Sequence, residues 1–450
     1  MFRNVYFFLA LLTLISISGI ASQPKVTIIG GGGAGLTTAW LLENDYDVTL
    51  FEKENHLGGH CYTIDIEHQG CTSHIDTGAE FFSDSLFPHF MQLLKILNVP
   101  VNKFILTNTF FTADGSETIF LPPISKGKVV WESFFSSNLF DLVQFKHVLD
   151  EGMNIINIQD TGLSIKHFVN HLNVTESFKN QFLYPFMAAA WGVSSKDIQS
   201  FAAYDVLKYF VLNQPSGLTP IYWNEVVGGT NIYINALASQ LTQTTIKLSS
   251  TITDITYKDN RYTIIQGDGS AAEFDYLVLA SNSSAAEQLL QNIPEKQDIC
   301  TILKQIKYYN TTIAVHGDSR FMPSKQSDWA VANIAFDGTN SAMTIYKSWL
   351  DGPSPIFRSW LTYPIEYHGE NLVPSPLFAT VEWQHPIIDV NYFHAQKAIQ
   401  VANGNQNLWF AGIYTFDNDS HESVIVSAMN VAQGLAPNSE RLNQLSRIKN

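Results

Sequence analysis

The stretch KVTIIGGGGAG at residues 25–35 decides the fold of this 450-residue chain. Its first five residues form a β-branched run that predicts a buried strand, and its glycines contain the pattern G-x-G-x-x-G. The next segment, Leu36–Glu43, predicts a helix. Val48–Phe51 then predicts a second strand, which ends at the acid Glu52. Strand, glycine turn, helix, strand and acid in this order are typical of a dinucleotide-binding βαβ unit.

Each glycine of the motif has a separate physical task. Gly30 permits the tight turn, Gly32 lets the backbone approach a pyrophosphate, and Gly35 lets helix and strand pack closely. The helix N-terminus offers N–H groups and partial positive charge to the phosphates. Glu52 is placed to accept hydrogen bonds from ribose hydroxyls of FAD or a nicotinamide dinucleotide, and its charge would repel a 2′-phosphate. The other predicted cofactor contacts of this unit are Gly33, Ala34 and Lys53.

Composition excludes several classes of protein. The 26 Lys and Arg residues against 41 Asp and Glu give a net charge of −15, which argues against a nucleic-acid partner because such binding needs a basic surface. Charged residues make up 15% and hydrophobic residues 45% of the chain, so a large buried core is expected rather than disorder. Apolar runs after residue 24 are too short and interrupted for a multi-span membrane protein.

Residues 1–22 predict a secretory signal peptide. Arg3 precedes the apolar segment Val5–Ile17, and small residues precede a cut after Ala21. An uncleaved membrane anchor is the alternative. The three cysteines include no C-x-x-C pair, which excludes a disulfide framework and a thiolate zinc site, and no metal is predicted. We therefore expect an exported protein, periplasmic or secreted, and leave association with a membrane surface open.

The sequence after Glu52 extends the pattern. LGGH at 57–60 supplies a second glycine pair, a hairpin is predicted over Tyr62–Glu67 and Cys71–Ile75, and DTGAEFF follows at 76–82. Here the chain resembles the flavin-containing amine oxidase superfamily, which also holds protoporphyrinogen oxidases and carotenoid desaturases, and within it the bacterial predicted NAD/FAD-binding protein branch. The resemblance implies FAD lying along both stretches, although a histidine replaces the arginine of amine oxidases. The residues it implicates are Gly58, Gly59, His60, Gly78, Ala79 and Glu80.

The resemblance recurs further along the chain. VGGT at 227–230, with the helix that follows, is similar to the family's mid-chain glycine turn. A strand is predicted over Ile246–Ile255, an apolar strand over Asp275–Ala280 returns to the cofactor, and Leu408–Tyr414 resembles the closing strand and A-G turn. The cofactor contacts that these segments imply are Ile252, Ala280 and Gly412.

A final helix is predicted over Glu422–Gln433, capped by Asp419 or Ser420. Its N-terminus would face the pyrimidine edge of the flavin, where the helix dipole stabilises negative charge. The resembled branch opens this helix with H-E-x-G, whereas this chain has HESV at 421–424. Val424 is therefore an implied contact whose side chain could displace the backbone from the ring.

The cofactor motifs assign 24–85, 220–290 and 400–436 to one discontinuous domain. The remaining segments, 86–219 and 291–399, are assigned to a discontinuous substrate domain. The predicted fold is α/β, with a Rossmann-like FAD-binding domain interleaved with a mixed α/β substrate domain. Helical spacing of apolar residues covers Leu86–Leu97 and Leu139–Val169, and strands are predicted over Thr311–His316, Trp329–Ile334, Ala342–Tyr346 and Leu377–Trp383.

Catalytic residues are less clearly marked. Thr312 stands where many amine oxidases have a lysine beside flavin N5, which disfavours simple amine oxidation, and no cluster of acids indicates a polyamine anchor. His385, in WQHP at 383–386, matches a histidine of the resembled branch and is a candidate acid–base or substrate-binding group. His421 and Tyr414 are further candidates near the predicted ring. The chain has no H-E-x-x-H, G-x-S-x-G or P-loop motif.

The sequence therefore predicts an exported FAD-dependent oxidoreductase. It would transfer a hydride from a hydrophobic substrate to flavin N5, as a desaturase or dehydrogenase does, and pass electrons to an acceptor that the sequence does not identify. Apolar and aromatic segments in the substrate domain favour the hydrophobic substrate. Two alternatives remain open, an amine or amino-acid oxidase that produces peroxide and a non-catalytic FAD-binding scaffold protein.

Overall fold

The computed structural model describes residues 23–115, 118–121, 124–125, 128–129, 138–212, 222–350, 352 and 354–448. The predicted signal peptide at 1–22 lies outside these residues. The strands in chain order are β1 (Lys25–Ile29), β2 (Asp47–Phe51), β3 (Thr63–His68), β4 (Cys71–Asp76), β5 (Val101–Ile105), β6 (Asn108–Thr112), β7 (Thr118–Leu121), β8 (Ile124–Ser125), β9 (Lys128–Val129), β10 (Tyr222–Val226), β11 (Thr245–Lys247), β12 (Ile252–Lys258), β13 (Arg261–Gln266), β14 (Ala271–Phe274), β15 (Tyr276–Leu279), β16 (Tyr308–His316), β17 (Ala332–Phe336), β18 (Ser341–Tyr346), β19 (Phe357–Trp360), β20 (Glu366–Tyr367), β21 (Glu370–Asn371), β22 (Leu377–Pro386) and β23 (Leu408–Phe410).

Helices fill most of the intervening segments. The α-helices are α1 (Gly33–Leu42), α2 (Pro88–Ile96), α3 (Asn138–Asn157), α4 (Ile165–His171), α5 (Glu176–Phe178), α6 (Tyr184–Trp191), α7 (Ala203–Leu212), α8 (Asn231–Ser239), α9 (Ser283–Leu290), α10 (Gln297–Leu303), α11 (Val390–Ala402), α12 (His421–Leu435) and α13 (Glu440–Ser446). Among the residues described, no helix combines the length and the apolar character needed to cross a membrane.

The first strand lies at the centre of a five-stranded parallel sheet with the order β11-β2-β1-β15-β23. Strand β1 pairs with β2 along its whole length and with β15 on its other side. Because β1 and β2 are parallel neighbours joined through α1, they form the predicted βαβ unit. Segments that lie more than 350 residues apart thus meet in one sheet, and the predicted Rossmann-like fold is confirmed.

Helix α1 approaches this sheet more closely than side chains would normally allow. A Cβ atom on Gly35 would lie 1.9 Å from the carbonyl oxygen of Gly30, so only glycine fits at this position. Every residue of α1 is buried. The helix begins at Gly33, three residues earlier than predicted, because packing against the sheet and α12 overrides the low helix propensity of glycine.

Helices cover both faces of the parallel sheet. Helices α1, α2, α8, α12 and α13 share one hydrophobic cluster, which includes Leu36, Phe90 and Ile425. Helices α9, α10 and α11 and the small sheet β12-β13-β14 form a second cluster around Tyr262 and Tyr392. Coverage from both sides explains why every residue of β1 after Lys25 is buried, as in central parallel strands generally.

A second sheet has seven strands in the order β22-β16-β19-β18-β17-β6-β7, and only the β6–β17 pair is parallel. Helices α3, α4, α6 and α7 pack against it in a third cluster that contains many phenylalanines. All four strands predicted between 311 and 383 belong to this sheet. The domain boundaries stay a prediction, and α2, at the start of the 86–219 segment, packs with the helices of the parallel sheet.

Two predicted elements are each divided in the structure. The prediction of a single strand over Ile246–Ile255 is wrong, because β11 extends the parallel sheet whereas β12 begins a separate sheet. Ser249, at φ 50°, turns the chain between them. The helical stretch over Leu139–Val169 is two helices, α3 and α4, separated by a turn that begins near Gln159, also with positive φ. Apolar periodicity did not reveal either break.

A buried ionic network fixes segment 76–80 against the second sheet. Glu80 contacts Lys347 at 2.6 Å and Arg358 at 2.5 Å, and Lys347 also contacts Glu225 at 2.7 Å. None of these four side chains is more than 8% exposed. Arg358 also donates to two carbonyl groups of the segment, at 2.8 and 3.0 Å. Burial raises the pKa of Glu80, and the two cations oppose that rise.

We predict that Lys347→Met lowers the free energy of unfolding by about 3–5 kcal/mol, because it leaves buried carboxylates without their shared cation. Denaturant titration followed by fluorescence measures the change. The matched control is Lys103→Met, which removes an exposed lysine 2.9 Å from Asp84 and should cost less than about 1 kcal/mol. Equal midpoints for the two variants would contradict the importance of the network.

Candidate functional site

Two glycine loops face each other beyond the carboxyl end of β1. The N–H of Gly58 donates to the carbonyl of Gly31 at 3.0 Å, and Gly32 forms an isolated bridge with Gly58. A Cβ atom on Gly32 would come no nearer than 3.9 Å to Gly58 and 4.0 Å to Gly59. Helix α1 starts at this point without a side-chain cap. Its first N–H groups therefore suit a phosphate group.

Glu52 ends β2 and turns back towards the same loop. Its Oε2 accepts the N–H of Gly31 at 2.6 Å, and its Oε1 accepts the N–H of Glu54 at 2.9 Å. Each carboxylate oxygen can accept a further hydrogen bond, so the predicted contact with ribose hydroxyls fits this geometry. The side chain of Lys53 is 76% exposed and its Nζ lies 3.4 Å from Glu54, and its predicted contact with the cofactor stays a prediction.

The second glycine stretch is anchored by Asp76. Its Oδ1 accepts hydrogen bonds from the hydroxyls of Thr63 and Thr230, at 2.6 and 2.7 Å, and from the N–H of Thr230 at 2.9 Å. A Cβ atom on Gly78 would lie 1.9 Å from the carbonyl oxygen of His60. The structure therefore brings together the predicted loops at 57–60, 76–80 and 227–230.

Other predicted contacts follow the carboxyl ends of the parallel strands, where ligands of such sheets bind. Ala280 comes directly after β15, and its N–H donates to Ile29 at 2.8 Å. Gly412 follows β23 with φ 128° and donates its N–H to Ser427 at 2.8 Å. Ile252 starts β12 and is half-buried. Bare glycine backbone, a helix N-terminus and a carboxylate at one sheet edge are a donor set that fits FAD.

The start of α12 is firmly attached to α2. Ser420 caps α12 by accepting the N–H of Ser423 at 3.2 Å, as predicted. Glu422 accepts the N–H groups of His89 and Phe90, each at 3.0 Å, and its Oε1 lies 2.5 Å from Nδ1 of His89. One carboxylate thus caps α2 while belonging to α12, which fixes where the N-terminus of α12 points.

Two candidate residues near this helix are buried. The ring of His421 stacks on Phe90 at 4.4 Å, and its Nε2 lies 3.3 Å from the carbonyl of Ala79. Burial lowers the pKa of His421, so a neutral imidazole donates to that carbonyl. Tyr414 is 1% exposed, and its hydroxyl lies 3.4 Å from the carbonyl of Leu279. Roles for both residues at the flavin ring stay predictions.

Val424 occupies a position next to the phosphate-binding end of α1. A Cβ atom on Gly33 would lie 3.1 Å from a methyl group of Val424 and 3.1 Å from the hydroxyl of Tyr233. Gly33 therefore leaves room for Val424 to pack against the first turn of α1. The predicted effect of valine on the distance between this helix and the ring stays untested.

His385 and His60 meet where the cofactor loops contact the second sheet. Their ring centres are 5.5 Å apart, and His60 also lies 4.7 Å from the ring of Trp383. His385 Nδ1 is 3.2 Å from Oδ2 of Asp419. Burial, followed by the nearby His385, lowers the pKa of His60. Two residues predicted from separate motifs thus form one polar cluster with an aspartate.

Sequence analysis missed a cluster of acids beside His385. Asp205 on α7 is 1% exposed, and the indole N–H of Trp191 is a side-chain donor to its carboxylate. Burial, and then the charges of Asp419 and Asp417, raise its pKa well above the ordinary range. Asp417 forms an ion pair with Lys208. The sequence does not reveal this cluster, because α7 lies about 200 residues before the other acids in sequence and meets them only in the fold. Asp417-x-Asp419 is the only local signal.

Thr312 lies on β16, the strand that pairs with β22. In this pair Thr312 is opposite Glu382, and Tyr309 is opposite His385. His385 therefore lies beside the strand on which the resembled amine oxidases carry their lysine, one strand further along the sheet.

We predict that Gly32→Val folds but fails to retain FAD. The space around Gly32 accommodates a side chain in the protein alone, yet that side chain fills the gap between the two glycine loops where the pyrophosphate is expected. FAD affinity should fall at least about 100-fold in a fluorescence titration, with little change in melting temperature. Gly267→Ala, whose Cβ would find only ordinary contacts beyond 3.7 Å, is the control and should bind FAD normally.

Comparison with known proteins extends these observations. A model of the family described as flavin containing amine oxidoreductase matches residues 34–335. An uncharacterized protein of Acanthamoeba polyphaga mimivirus is 36% identical over 93 residues, 19% of each protein. A 4,4'-diaponeurosporene oxygenase from Staphylococcus haemolyticus is 28% identical over 156 residues, 34% of this chain and 26% of the oxygenase. The matches thus span about a quarter or less of these relatives.

Solved structures share the whole fold. A CLA-producing fatty acid isomerase from P. acnes has a TM-score of 0.67 at 17% identity, covering 93% of this chain and 100% of that one. An engineered putrescine oxidase gives 0.65 at 12% identity, with coverage of 93% and 100%. A protein assigned as the protoporphyrinogen oxidase of an Exiguobacterium species gives 0.63 at 14% identity, with coverage of 92% and 99%. At these identities the likeness shows the fold.

The family match covers well over half of the chain, from the first turn of α1 to β17. It includes the loops at 57–60, 76–80 and 227–230, whose backbone fits FAD. The chain therefore belongs to the flavin-containing amine oxidoreductase family and is an FAD-dependent oxidoreductase.

Proposed function

We propose that this enzyme desaturates a hydrophobic substrate and that His385 is the base. FAD, when bound, supplies the hydride acceptor. The observation that carries the proposal is the position of His385, whose ring is 5.5 Å from that of His60 on the second glycine loop. A titratable imidazole thus stands at the contact between the cofactor loops and the second sheet. Histidine suits proton transfer near neutral pH.

The reaction balances with one base. Desaturation removes a hydride from one carbon and a proton from its neighbour, and the two electrons of the second C–H bond form the new double bond. His385 accepts the proton, and the hydride carries two electrons to the cofactor. The side chain of His385 is 27% exposed, so the proton can pass to solvent after turnover. An electron acceptor then reoxidises the cofactor.

Aromatic side chains around His385 support a hydrophobic substrate. The ring of Tyr309 lies 5.8 Å from that of His385, and the hydroxyl of Tyr309 donates to the carbonyl of Trp191 at 2.9 Å. Trp191 in turn packs edge-on against Tyr209 at 5.8 Å. The local identity with an oxygenase named for diaponeurosporene adds support from a relative.

A second candidate is oxidation of an amine. The buried carboxyl of Asp205, next to Asp417 and Asp419, favours a cationic substrate group. Thr312 in place of a lysine argues against it. Amine oxidation followed by reaction with oxygen releases peroxide and an aldehyde, whereas desaturation gives a product two hydrogens lighter.

We expect anaerobic mixing with apolar chains, such as fatty acids and isoprenoids, to bleach the flavin of the holoenzyme. Mass spectrometry should then find a product lighter by two hydrogens. A parallel panel of primary amines and polyamines, assayed aerobically for peroxide, should give no turnover. Rapid peroxide release with any simple amine, together with no bleaching by apolar chains, would contradict desaturation and support amine oxidation instead.

We predict that His385→Gln slows flavin reduction by about 10²–10⁴-fold, the range for losing a general base, while the flavin spectrum stays unchanged. Stopped-flow absorbance measures this rate with the substrate found above. His394→Gln, which alters an exposed histidine on α11, is the control and should keep the full rate. Normal reduction by His385→Gln would remove His385 from the mechanism.

We also propose export, with the predicted signal peptide within residues 1–22 cleaved after Ala21. N-terminal sequencing of the protein purified from its natural source should begin at Ser22, and a start at Met1 would overturn this part.

Attachment to a membrane surface is supported by Leu139, Phe140 and Val143, which are 40%, 60% and 58% exposed at the start of α3. Co-sedimentation with neutral lipid vesicles tests it, and loss of sedimentation in a Phe140→Ser variant is the expected result.

A further inference from the structure

We propose that Asp419 is a positioning residue that holds the proton of neutral His385 on Nδ1, so that Nε2 is the atom that accepts the substrate proton. The inference rests on the acid–base role proposed for His385. It assigns a function to a residue that the sequence suggested only as a helix cap. The contact that carries it is the 3.2 Å distance between Nδ1 of His385 and Oδ2 of Asp419.

The chemistry of this contact selects one tautomer. An ionised carboxylate can only accept a hydrogen bond, so Nδ1 of His385 must donate. Burial would raise the pKa of Asp419, but the hydrogen bond from His385 lowers that pKa below the ordinary value, which favours the ionised carboxylate. With its proton on Nδ1, the neutral imidazole carries a lone pair on Nε2, which is the form a base requires.

Three elements hold Asp419 in place. The hydroxyl of Tyr209 on α7 donates to its carbonyl at 3.1 Å. The preceding Asp417 is paired with Lys208, also on α7, and its carbonyl accepts a hydrogen bond from Gln396 on α11 at 3.0 Å. Residue 420 caps α12 directly afterwards. The Asp419 carboxylate therefore reaches His385 from a fixed backbone, as a positioning group must.

Neighbouring charges leave Asp419 as the effective partner of His385. Burial raises the pKa of Asp205 well above its ordinary range, while the charge of Asp417 is matched by Lys208. The pKa of His60 is lowered by burial and then by the nearby His385. When His385 takes up a proton during turnover, the resulting imidazolium and Asp419 form a neutral pair, and no uncompensated charge is created.

Replacing the carboxylate by an amide tests the tautomer. The amide nitrogen of Asp419→Asn can donate to Nδ1, which would move the imidazole proton to Nε2 and block the base. An Asp→Asn change of this kind lowers catalysis by about 10⁴-fold where a histidine depends on its carboxylate. We therefore expect Asp419→Asn to slow flavin reduction by about 10²–10⁴-fold with little change in KM, and Asp419→Glu to recover part of the rate.

The decisive measurement is histidine ¹⁵N NMR of the oxidised holoenzyme, with the His385 signals identified by their loss in His385→Gln. In the wild type we expect a protonated Nδ1 and an unprotonated Nε2, and in Asp419→Asn the reverse. Asp254→Asn on β12, far from the cluster, is the matched control and should leave the His385 signals unchanged. Unchanged signals in Asp419→Asn would overturn the proposal.

The outcomes separate this inference from the proposed function. If His385→Gln reduces flavin normally, the acid–base role fails whatever the tautomer is. If His385→Gln is inactive but Asp419→Asn keeps both its rate and its tautomer, only the role of Asp419 fails. Should Asp419→Asn not fold, the wild-type spectrum still decides, because a proton on Nε2 of His385 would by itself refute the proposed positioning.

Discussion

Close contact between backbone segments, possible only for glycine, is the constraint on which the rest of the structure depends. Helix α1 can lie on the sheet because Gly35 has no side chain to meet the carbonyl of Gly30, and the loop at 76–80 can reach His60 because Gly78 has none either. These two contacts place a helix N-terminus, a second glycine loop and a carboxylate around one gap. The site for FAD is thus set by missing side chains, and a single Cβ atom would disturb it.

The second constraint is electrostatic and joins the cofactor loops to the second sheet. Glu80 lies between Lys347 and Arg358, which come from the end of β18 and from β19. Burying such charges is costly unless each is paired. The network therefore contributes more to the specific position of segment 76–80 on the second sheet than to overall stability. It holds the loop beside the sheet that carries His385. His385 and Asp419 lie nearer to solvent than this network, with side chains 27% and 35% exposed, and His60 is an exposed residue.

The net charge of −15 does not show how the acidic side chains are grouped in the fold or how their surroundings differ. Three aspartates, Asp205, Asp417 and Asp419, converge near one histidine, yet each is in a different state because its surroundings differ. Asp417 is paired with a lysine, the hydrogen bond from His385 lowers the pKa of Asp419 in spite of burial, and burial raises the pKa of Asp205. Environments that separate the pKa values of neighbouring groups are characteristic of catalytic sites.

The sequence by itself determined the βαβ unit, the hairpin and four of the seven strands of the second sheet, and it limited the cap of α12 to Asp419 or Ser420, because glycine spacing, apolar periodicity and capping chemistry act over a few residues. It also predicted the fold of an FAD-dependent oxidoreductase, and the family match confirms that prediction. It failed where neighbours distant in sequence decide, at the break between β11 and β12 and at the acid cluster. Only the tertiary structure brought Asp205 and Asp419 to His385, and engaged the predicted Glu80 with Lys347 and Arg358. The reason is physical: burial and pairing fix the state of a charged group, and both are properties of the folded chain rather than of the local sequence.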